Sequence, residues 1–226
     1  MALILSLETA TKVCSVALHS NGMLLTERNE SKEYSHFERL PILIQQVLEE
    51  SDKKFADLDC IAVSKGPGSY TGLRIGVSIA KGIAFSLNKP IVSVNTLKGL
   101  AVSALKKVAD GELLCPMIDA RRSEVYTMIV DYHLEEIWPT RALIVDKHTF
   151  SEVIEKHNLL LFGDGSEKFR SLFKTIANIR FEELSPSAKR IGELAWKKYQ
   201  NAEFENTAYF EPFYLKDFMP GIAKRN

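Results

Sequence analysis

Hydrophobic and polar positions near the start of the chain follow the pattern of three short strands. Residues 3–7 form an apolar run that ends at Glu8, and residues 13–18 alternate back after a short polar turn. Asn21-Gly22 is a hairpin signal, and residues 23–28 continue with strand character. The sequence therefore predicts a meander of three strands at the start of the protein.

A helical pattern follows over residues 35–50. Ser35 and Glu38 have the spacing of a capping box, whereas Pro41 predicts either a kink or a regular helix that begins near Leu40. Ile42 adds apolar character on a second side. The segment is therefore either a well-buried core helix or a helix that packs inward on one face and against a partner on the other. The inward positions are Phe37, Leu40, Leu43, Ile44, Val47 and Leu48.

The rest of the chain alternates between strand and helix patterns and is less regular in its second half. This alternation indicates the α/β class. Predicted strands cover residues 60–63, 90–94, 113–118, 124–130 and 159–162. Predicted helices cover residues 73–87, 96–109, 150–157, 166–176 and 187–200.

Residues 65–76 read Lys-Gly-Pro-Gly-Ser-Tyr-Thr-Gly-Leu-Arg-Ile-Gly and connect a predicted strand to a predicted helix. This order places free backbone N–H groups and the positive end of a helix dipole at one spot, where an anion could bind. The alternative is a tight turn at Gly66 and Gly68, with Ser69 or Thr71 capping the helix. The segment matches neither the Walker pattern nor the dinucleotide-binding fingerprint.

Small residues recur every four positions in the helix that follows, at Gly72, Gly76 and Ala80, and Gly82 adds a fourth. Glycine costs about 1 kcal/mol relative to alanine inside a helix, so the repeat needs a reason. A stripe without side chains lets another backbone come close. The predicted neighbour is a second helix, from this chain or from another.

The pattern at the start of the chain recurs in its second half. The apolar strand that ends at Asp119, its polar turn and the returning strand match residues 4–18 at an offset of 111 without a gap, which indicates a duplicated unit. Two facing halves would bring Glu8 and Asp119 to opposite sides of one cleft. There they could hold a hydrated Mg²⁺ or a nucleophilic water beside phosphates. The alternative is that each carboxylate caps its own turn.

Composition and charge narrow the class of protein. The chain has 226 residues, 46% of them hydrophobic, which is enough for one large domain or two small ones. Lys plus Arg and Asp plus Glu number 29 each, so no strong overall field attracts nucleic acid. No apolar run approaches the length of a membrane span, and residues 1–7 lack the features of a signal peptide. We therefore expect a cytoplasmic protein without membrane contact.

Cysteines and histidines predict no metal site. Cys14, Cys60 and Cys115 lie in apolar runs without Cys-x-x-Cys spacing and are expected to be buried thiols. The five histidines form no pair at ligand spacing on one helix. A protease is also disfavoured, because the sequence lacks a Gly-x-Ser-x-Gly elbow and a cysteine in a basic, exposed setting.

Five segments, taken in order, resemble one known family. They are residues 3–18, 66–76, 118–126, 163–165 and 212–215. Together they are similar to the TsaB (YeaZ) family of bacterial partner proteins in threonylcarbamoyladenosine synthesis on tRNA, and the likeness covers nearly the whole chain. It implies an α/β, duplicated actin-like and sugar-kinase-like ATPase fold (ASKHA), in which each of two lobes has a mixed sheet flanked by helices.

We place the first lobe at residues 1–100 and the second at residues 101–226. The first lobe is expected to carry the pairing helices, and the last helix of the second lobe is expected to pack back on the first. The resemblance implies a partnership with the catalytic paralogue TsaD and the ATPase TsaE, with tRNA reached through the complex. TsaD holds a metal through a His-x-x-x-His motif, whereas this chain has His36 followed by Leu40 at the second position.

That departure favours a non-catalytic scaffold, and the alternative is a stand-alone nucleotide-binding ATPase. The family pairs through its first two helices, here residues 35–50 and 71–87, and the same helices would form a homodimer in the isolated chain. The predicted partner or dimer interface is His36, Leu40, Leu43, Ile44, Val47, Gly72, Leu73, Gly76, Ala80 and Ile83.

Nucleotide contacts are a second set of expectations. Gly163 and Gly165 follow a strand, where they could approach an adenosine or a phosphate or form a plain turn. The candidate nucleotide-binding residues are Glu8, Thr9, Thr11, Gly66, Gly68, Asp119, Arg121, Gly163 and Gly165. Glu8 stands where relatives usually have Asp. We therefore expect no cofactor on this chain alone, and ATP or ADP with Mg²⁺ only in the complex.

Overall fold

Two five-stranded mixed sheets, each flanked by helices, form two lobes. The structure is a computed structural model that describes residues 2–31 and 36–216. In both sheets an antiparallel meander of three strands is extended by two parallel strands. The predicted α/β fold with a duplicated mixed sheet is confirmed.

The first lobe has the strand order β3-β2-β1-β4-β5. Its elements are β1 (Leu3–Glu8), β2 (Cys14–Ser20), β3 (Met23–Glu30), α1 (His36–Glu50), β4 (Cys60–Gly66), α2 (Tyr70–Leu87), β5 (Ile91–Asn95) and α3 (Thr96–Ala104). The central strand β1 is buried along its whole length, as its largely apolar run predicts. Leu3, Leu5 and Leu7 lie in the core under α1 and α2, whereas Ile4 faces the opposite side of the sheet.

The helix α1 is already regular at His36, so the alternative start near Leu40 was wrong. Pro41 lies on the exposed side of the helix, and the buried side carries five apolar residues. The predicted capping residue Ser35 lies outside the described residues. The burial of only one side favours an amphipathic helix whose other side faces outward.

The second lobe has the strand order β10-β9-β6-β7-β8, which is the same topology as the first. Its elements are β6 (Leu113–Asp119), β7 (Glu124–Val130), β8 (Glu136–Ile144), α4 (Ser151–Ile154), β9 (Leu159–Phe162), β10 (Ile179–Glu182) and α5 (Ala188–Gln200). The strands β8 and β10 are additions to the predicted elements. The hydrophobic pattern did not predict β8, because β8 is a largely exposed edge strand with Pro139 near a register shift.

Three predicted helices are shorter than expected. The helix predicted over residues 166–176 was wrong, because the only helical piece there is the 3-10 turn Glu167–Phe169. Phe169 and Phe173 are spaced as in a helix because both fill the core of the second lobe. The helix predicted over residues 150–157 is the single turn of α4, and α3 ends at Ala104 instead of residue 109.

The two copies of the meander differ by one residue in the turn between their first two strands. In the first strand of each copy, the equivalent core residues are Leu5, under α1, and Cys115, next to α4, and they are 110 positions apart. Leu5 pairs with Leu18 on the returning strand. In the returning strands the equivalent positions are Leu18 and Ile129, 111 residues apart. The predicted gapless match was therefore wrong. By register, Glu8 corresponds to Ile118, not to Asp119.

The last helix of each half packs on the sheet of the other half. α3 contacts β6 and β7 through Leu97, Leu100 and Ala101, and α5 contacts β1, β2, β4 and β5 through Ile191 and Ala195. This exchange covers one face of each sheet with apolar side chains from the other half. Within the described residues, no helix combines the length and the apolar character needed to span a bilayer.

Candidate functional site

The glycine turn between β4 and α2 is closed by contacts within the first lobe. Ser69 caps α2 by accepting a hydrogen bond from Gly72 N (3.3 Å), and its own N–H donates to the carbonyl of Ala10 (2.7 Å). Gly66 N–H donates to Thr96 Oγ1 (3.2 Å). Three backbone donors of this segment, at Gly66, Ser69 and Gly72, are thus used within the chain, which favours the capped-turn alternative.

The small residues of α2 make room for the turn that follows β1. A Cβ added at Gly72 would lie 2.1 Å from the carbonyl oxygen of Thr9, and one added at Gly76 would lie 2.3 Å from Thr9 Oγ1. Thr9 Oγ1 also donates a hydrogen bond to the carbonyl of Gly72 (2.7 Å). Ala80 is fully buried. The prediction that this stripe receives a second helix was therefore wrong, because the chain's own β1–β2 turn fills it.

Most residues of the predicted interface are buried inside the first lobe. Those without appreciable exposure are Leu40, Leu43, Ile44, Val47, Gly72, Leu73, Gly76 and Ala80. They cannot touch a partner while the lobe is folded, so their assignment to the interface was wrong. His36 is half-buried, and its Nε2 lies 2.7 Å from the carbonyl oxygen of Thr11. Ile83 is half-buried against the core.

An apolar strip beside these buried residues remains partly open. Ile75, Ile79 and Ile83 recur every four residues along α2 and are only partly buried. On α1, Ile42 is 42% exposed, and Phe37 is 69% exposed, so its predicted inward position was wrong. We call these five residues the α1–α2 face.

On α1, Phe37 lies on the side of the helix that is turned away from β3, whereas Ile42 points outward, away from the sheet. Glu50 on the β3 side of α1 pairs with Arg28 (2.7 Å), and Arg39 pairs with Glu30. On α2, the strip lies next to Gly72, whose added Cβ would lie 3.2 Å from the His36 ring at the start of α1. The four-residue spacing of the three isoleucines is visible in the sequence, but the interface prediction followed the small-residue stripe, which was the stronger signal.

The acidic residue of the first lobe is enclosed. Glu8 has no solvent exposure, and its Oε1 accepts a hydrogen bond from Ala10 N (2.6 Å). Burial raises the pKa of Glu8 from 4.5 to about 7, because the charged form loses its hydration, and the Ala10 N–H offsets this only in part. Thr9 and Thr11 are also buried in this turn.

The acidic residue of the second lobe is exposed and already paired. Asp119 Oδ1 accepts a hydrogen bond from Arg121 N (2.5 Å) and forms an ion pair with Lys168. Lys168 Nζ also donates to the carbonyl of Arg122 (2.9 Å). Arg121 itself is exposed, with a φ of 71° at the tip of the hairpin. Among the described residues, no hydrogen bond or ion pair joins Glu8 to Asp119.

The second glycine pair supports the sheet of its own lobe. A Cβ added at Gly163 would lie 2.2 Å from the carbonyl oxygen of Met117, and one added at Gly165 would lie 2.8 Å from the carbonyl carbon of Ile118. Asp164 Oδ1 accepts a hydrogen bond from Asp119 N (3.1 Å). Burial raises the pKa of Asp164, because desolvation outweighs that hydrogen bond. Both glycines thus let the turn after β9 press against the end of β6.

The residues predicted to hold ATP and Mg²⁺ do not fit that ligand as they are arranged. Gly68 faces Ala10, whose carbonyl oxygen would lie 2.5 Å from an added Cβ, and the carbonyl of Phe213 lies 2.5 Å from an added Cβ on Gly66. The two carboxylates are respectively enclosed and paired with lysine. Within residues 2–31 and 36–216, no three His, Cys, Asp or Glu side chains come together at metal-binding distance.

Comparison with known proteins defines the class. The family model of TsaD, the tRNA N6-adenosine threonylcarbamoyltransferase, matches residues 29–224. The (R)-2-hydroxyglutaryl-CoA dehydratase component A of Acidaminococcus fermentans has a similar fold, with a TM-score of 0.50 at 10% identity over 89% of this chain and 98% of that one. The chain thus belongs to the protein family that the TsaD model describes, and it has the actin-like, sugar-kinase-like fold.

Two further relatives give the particular family. The TsaB protein of Escherichia coli K12 is 30% identical over 222 residues, which cover 95% of this chain and 94% of that protein. YeaZ from Pseudomonas aeruginosa superposes with a TM-score of 0.78 at 26% identity, covering 95% of this chain and 100% of that one. The chain belongs to the TsaB (YeaZ) family of tRNA threonylcarbamoyladenosine biosynthesis proteins.

Proposed function

We propose that the chain is a non-catalytic scaffold that activates a TsaD-type transferase in N6-threonylcarbamoyladenosine modification of tRNA. It pairs with the transferase as a helix-bundle heterodimer through the α1–α2 face. A TsaE-type ATPase and the tRNA join through this pair, and the isolated chain forms a homodimer through the same face. The complex works in the cytoplasm.

The α1–α2 face is the observation that carries this proposal. Its isoleucines stay partly uncovered although the lobe beneath them is filled with fully buried side chains. Two amphipathic helices that present apolar residues side by side are suited to pack against two helices of a partner. A paralogue with the same fold offers such a pair in the equivalent place, which makes a pseudo-symmetric bundle possible.

The arrangement of the cleft supports an accessory role over an independent ATPase. Three backbone N–H groups of the glycine turn donate to Ala10, Thr96 and the Ser69 cap, and Asp119 is paired with Lys168. A site for the triphosphate and its metal needs free donors and free carboxylate oxygens. ATP or ADP with Mg²⁺ would then belong to the assembled complex and not to this chain alone.

The proposal is tested by reconstituting the modification from purified components. The TsaD-type transferase of the same organism is supplied with threonylcarbamoyl-adenylate, the TsaE-type ATPase and unmodified tRNA, with and without the chain. We expect product only when the chain is present, and the variant Ile42→Asp should fail to restore it. Ile144→Asp is the matched control, because Ile144 is 71% exposed on β8 of the second lobe, away from both helices.

Equal product formation with and without the chain would contradict the scaffold role. Full activity of the Ile42→Asp variant would contradict the assignment of the face while leaving the role intact. The unfolding midpoints of both variants must match that of the unmodified chain, so that loss of activity is not loss of fold. Binding of Mg-ATP by the isolated chain would favour the independent ATPase instead.

A further inference from the structure

The C-terminal strap, residues 205–216, runs along α2 and reaches the second lobe. It starts at Glu205, whose N–H donates to the carbonyl of Ile91 at the edge of the first sheet (2.9 Å). Phe210 then inserts into the first core and is 7% exposed. Lys81 of α2 donates to the carbonyls of Ala208 (3.2 Å) and Phe210 (3.0 Å). The strap is thus held on the first lobe before it reaches the glycine turn.

The next residues of the strap lie directly on that turn. Phe213 N–H donates to the carbonyl of Lys65 (2.7 Å) at the end of β4. The ring of Tyr214 lies 4.8 Å from the ring of Tyr70, and its hydroxyl accepts a hydrogen bond from Arg74 Nε (3.2 Å). These contacts give a role to the aromatic tail that sequence patterns left without one, because they join residues about 140 positions apart.

The end of the strap contacts the other lobe. Lys216 forms an ion pair with Glu124, the first residue of β7, which follows the β6–β7 hairpin. Lys216 lies three positions after Phe213, and three steps along the chain span at most about 11 Å. The glycine turn of the first lobe and the hairpin of the second therefore lie within reach of one short segment. The two side chains of the ion pair are 40% and 21% exposed, so solvent and salt reach the link.

We propose that the C-terminal strap is a releasable latch between the lobes. Its body stays docked along α2, while the Lys216–Glu124 ion pair ties the β6–β7 hairpin to the glycine turn. Among the described contacts of the strap, this ion pair is the one that joins it to the second lobe, and it can break without disturbing a core because Lys216 is exposed. Its release would let the hairpin and the turn separate. This inference concerns the chain itself and does not depend on the proposed function.

Amide hydrogen exchange tests the latch with two reciprocal variants of the full chain. In Glu124→Gln, a change on the second lobe, the amide of Phe213, which is held by the first lobe, should exchange about two- to fivefold faster. In Lys216→Gln, a change on the strap, the hairpin amides of Ala120 and Glu124 should accelerate by a similar factor. These amides are bonded within the hairpin to Glu124 O (3.1 Å) and Arg121 O (3.2 Å).

The double variant Lys216→Gln with Glu124→Gln should match either single variant, because both changes remove the same link. Glu155→Gln is the matched control, since Glu155 is an exposed carboxylate of the same lobe, and it should leave both sets of amides unchanged. The latch is overturned if Glu124→Gln leaves Phe213 exchange at the unmodified rate. It is equally overturned if the two single effects multiply in the double variant, since the residues would then act separately.

Discussion

Two glycines of the same helix should respond oppositely to alanine. At Gly82 a Cβ would have no heavy atom within 4 Å, so Gly82→Ala should stabilise the protein by about 1 kcal/mol through helix propensity. At Gly76 the Cβ would lie 2.3 Å from Thr9 Oγ1, an atom held in place by its hydrogen bond to Gly72. Overpacking of this kind costs about 1–3 kcal/mol. Because the overlap is severe, we take the upper figure of about 3 kcal/mol for the cost of overpacking. The gain in helix propensity of about 1 kcal/mol offsets part of this cost, so Gly76→Ala should be about 2 kcal/mol less stable than the unmodified chain.

Urea unfolding followed by circular dichroism measures both variants on one scale. We expect the two alanines to differ by about 3 kcal/mol in the free energy of unfolding, with unchanged dependence on urea concentration. Removing the obstructing hydroxyl with Thr9→Ala should recover part of the Gly76→Ala loss, because the two residues are in contact. If Gly76→Ala were as stabilising as Gly82→Ala, the close approach of the β1–β2 turn would be wrong and the stripe would be free for another helix.

Two further changes test other parts of the structure. Glu8→Gln should stabilise the protein at pH 8 but not at pH 4, since the folded pKa of Glu8 is raised to about 7. The free energy of unfolding should fall by about 3 kcal/mol as the pH rises from 4.5 through 7, because the folded protein keeps Glu8 protonated in this range whereas the unfolded chain ionises it. Glutamine cannot ionise, so the variant should not show this loss. Parallel pH profiles of the two proteins would contradict this. Glu112→Gln should cost about 2 kcal/mol in urea unfolding, because the buried carboxylate accepts hydrogen bonds from Arg180 Nε (2.6 Å) and Ala109 N (3.0 Å). Glu182→Gln, which alters a more exposed partner of Arg180, is its control, and an equal loss in both would contradict the assignment.

Strong local patterns made much of the fold predictable. Three signals reflect contacts close in sequence: the largely apolar run of β1, the hairpin signal at Asn21-Gly22, and the repeat of strand, acidic turn and strand. The family resemblance then supplied the arrangement of the two lobes. Edge strand β8 was missed because it is exposed and interrupted by Pro139, so neither its burial nor its alternation marks it as a strand.

The candidate site was predicted less well because it depends on distant neighbours. The repeat of Gly72 and Gly76 correctly indicated a close backbone approach, but the approaching residue is Thr9, more than 60 positions away. Sequence periodicity shows that a side chain is excluded and not what excludes it. The same limit applies to Glu8 and Asp119. One extra residue in the second turn changes which position matches Glu8, and a pattern match at a constant offset misses such a shift.

The interface residues show a related limit. Leu40, Leu43 and Val47 were predicted at the interface because they are apolar and regularly spaced, but that spacing is shared by core and partner faces. Only the exposed fraction separates the two. By that measure Ile42 belongs to the outward side of α1, and Ile79 to the partly covered side of α2.

Calorimetric titration of the chain with its TsaD-type transferase tests the central claim, that the α1–α2 face is the pairing surface. Ile42→Asp places a charge in an apolar contact, so we expect its dissociation constant to rise at least about a hundredfold, while Ile144→Asp binds like the unmodified chain. Equal affinity of the Ile42→Asp variant and the unmodified chain would contradict the account.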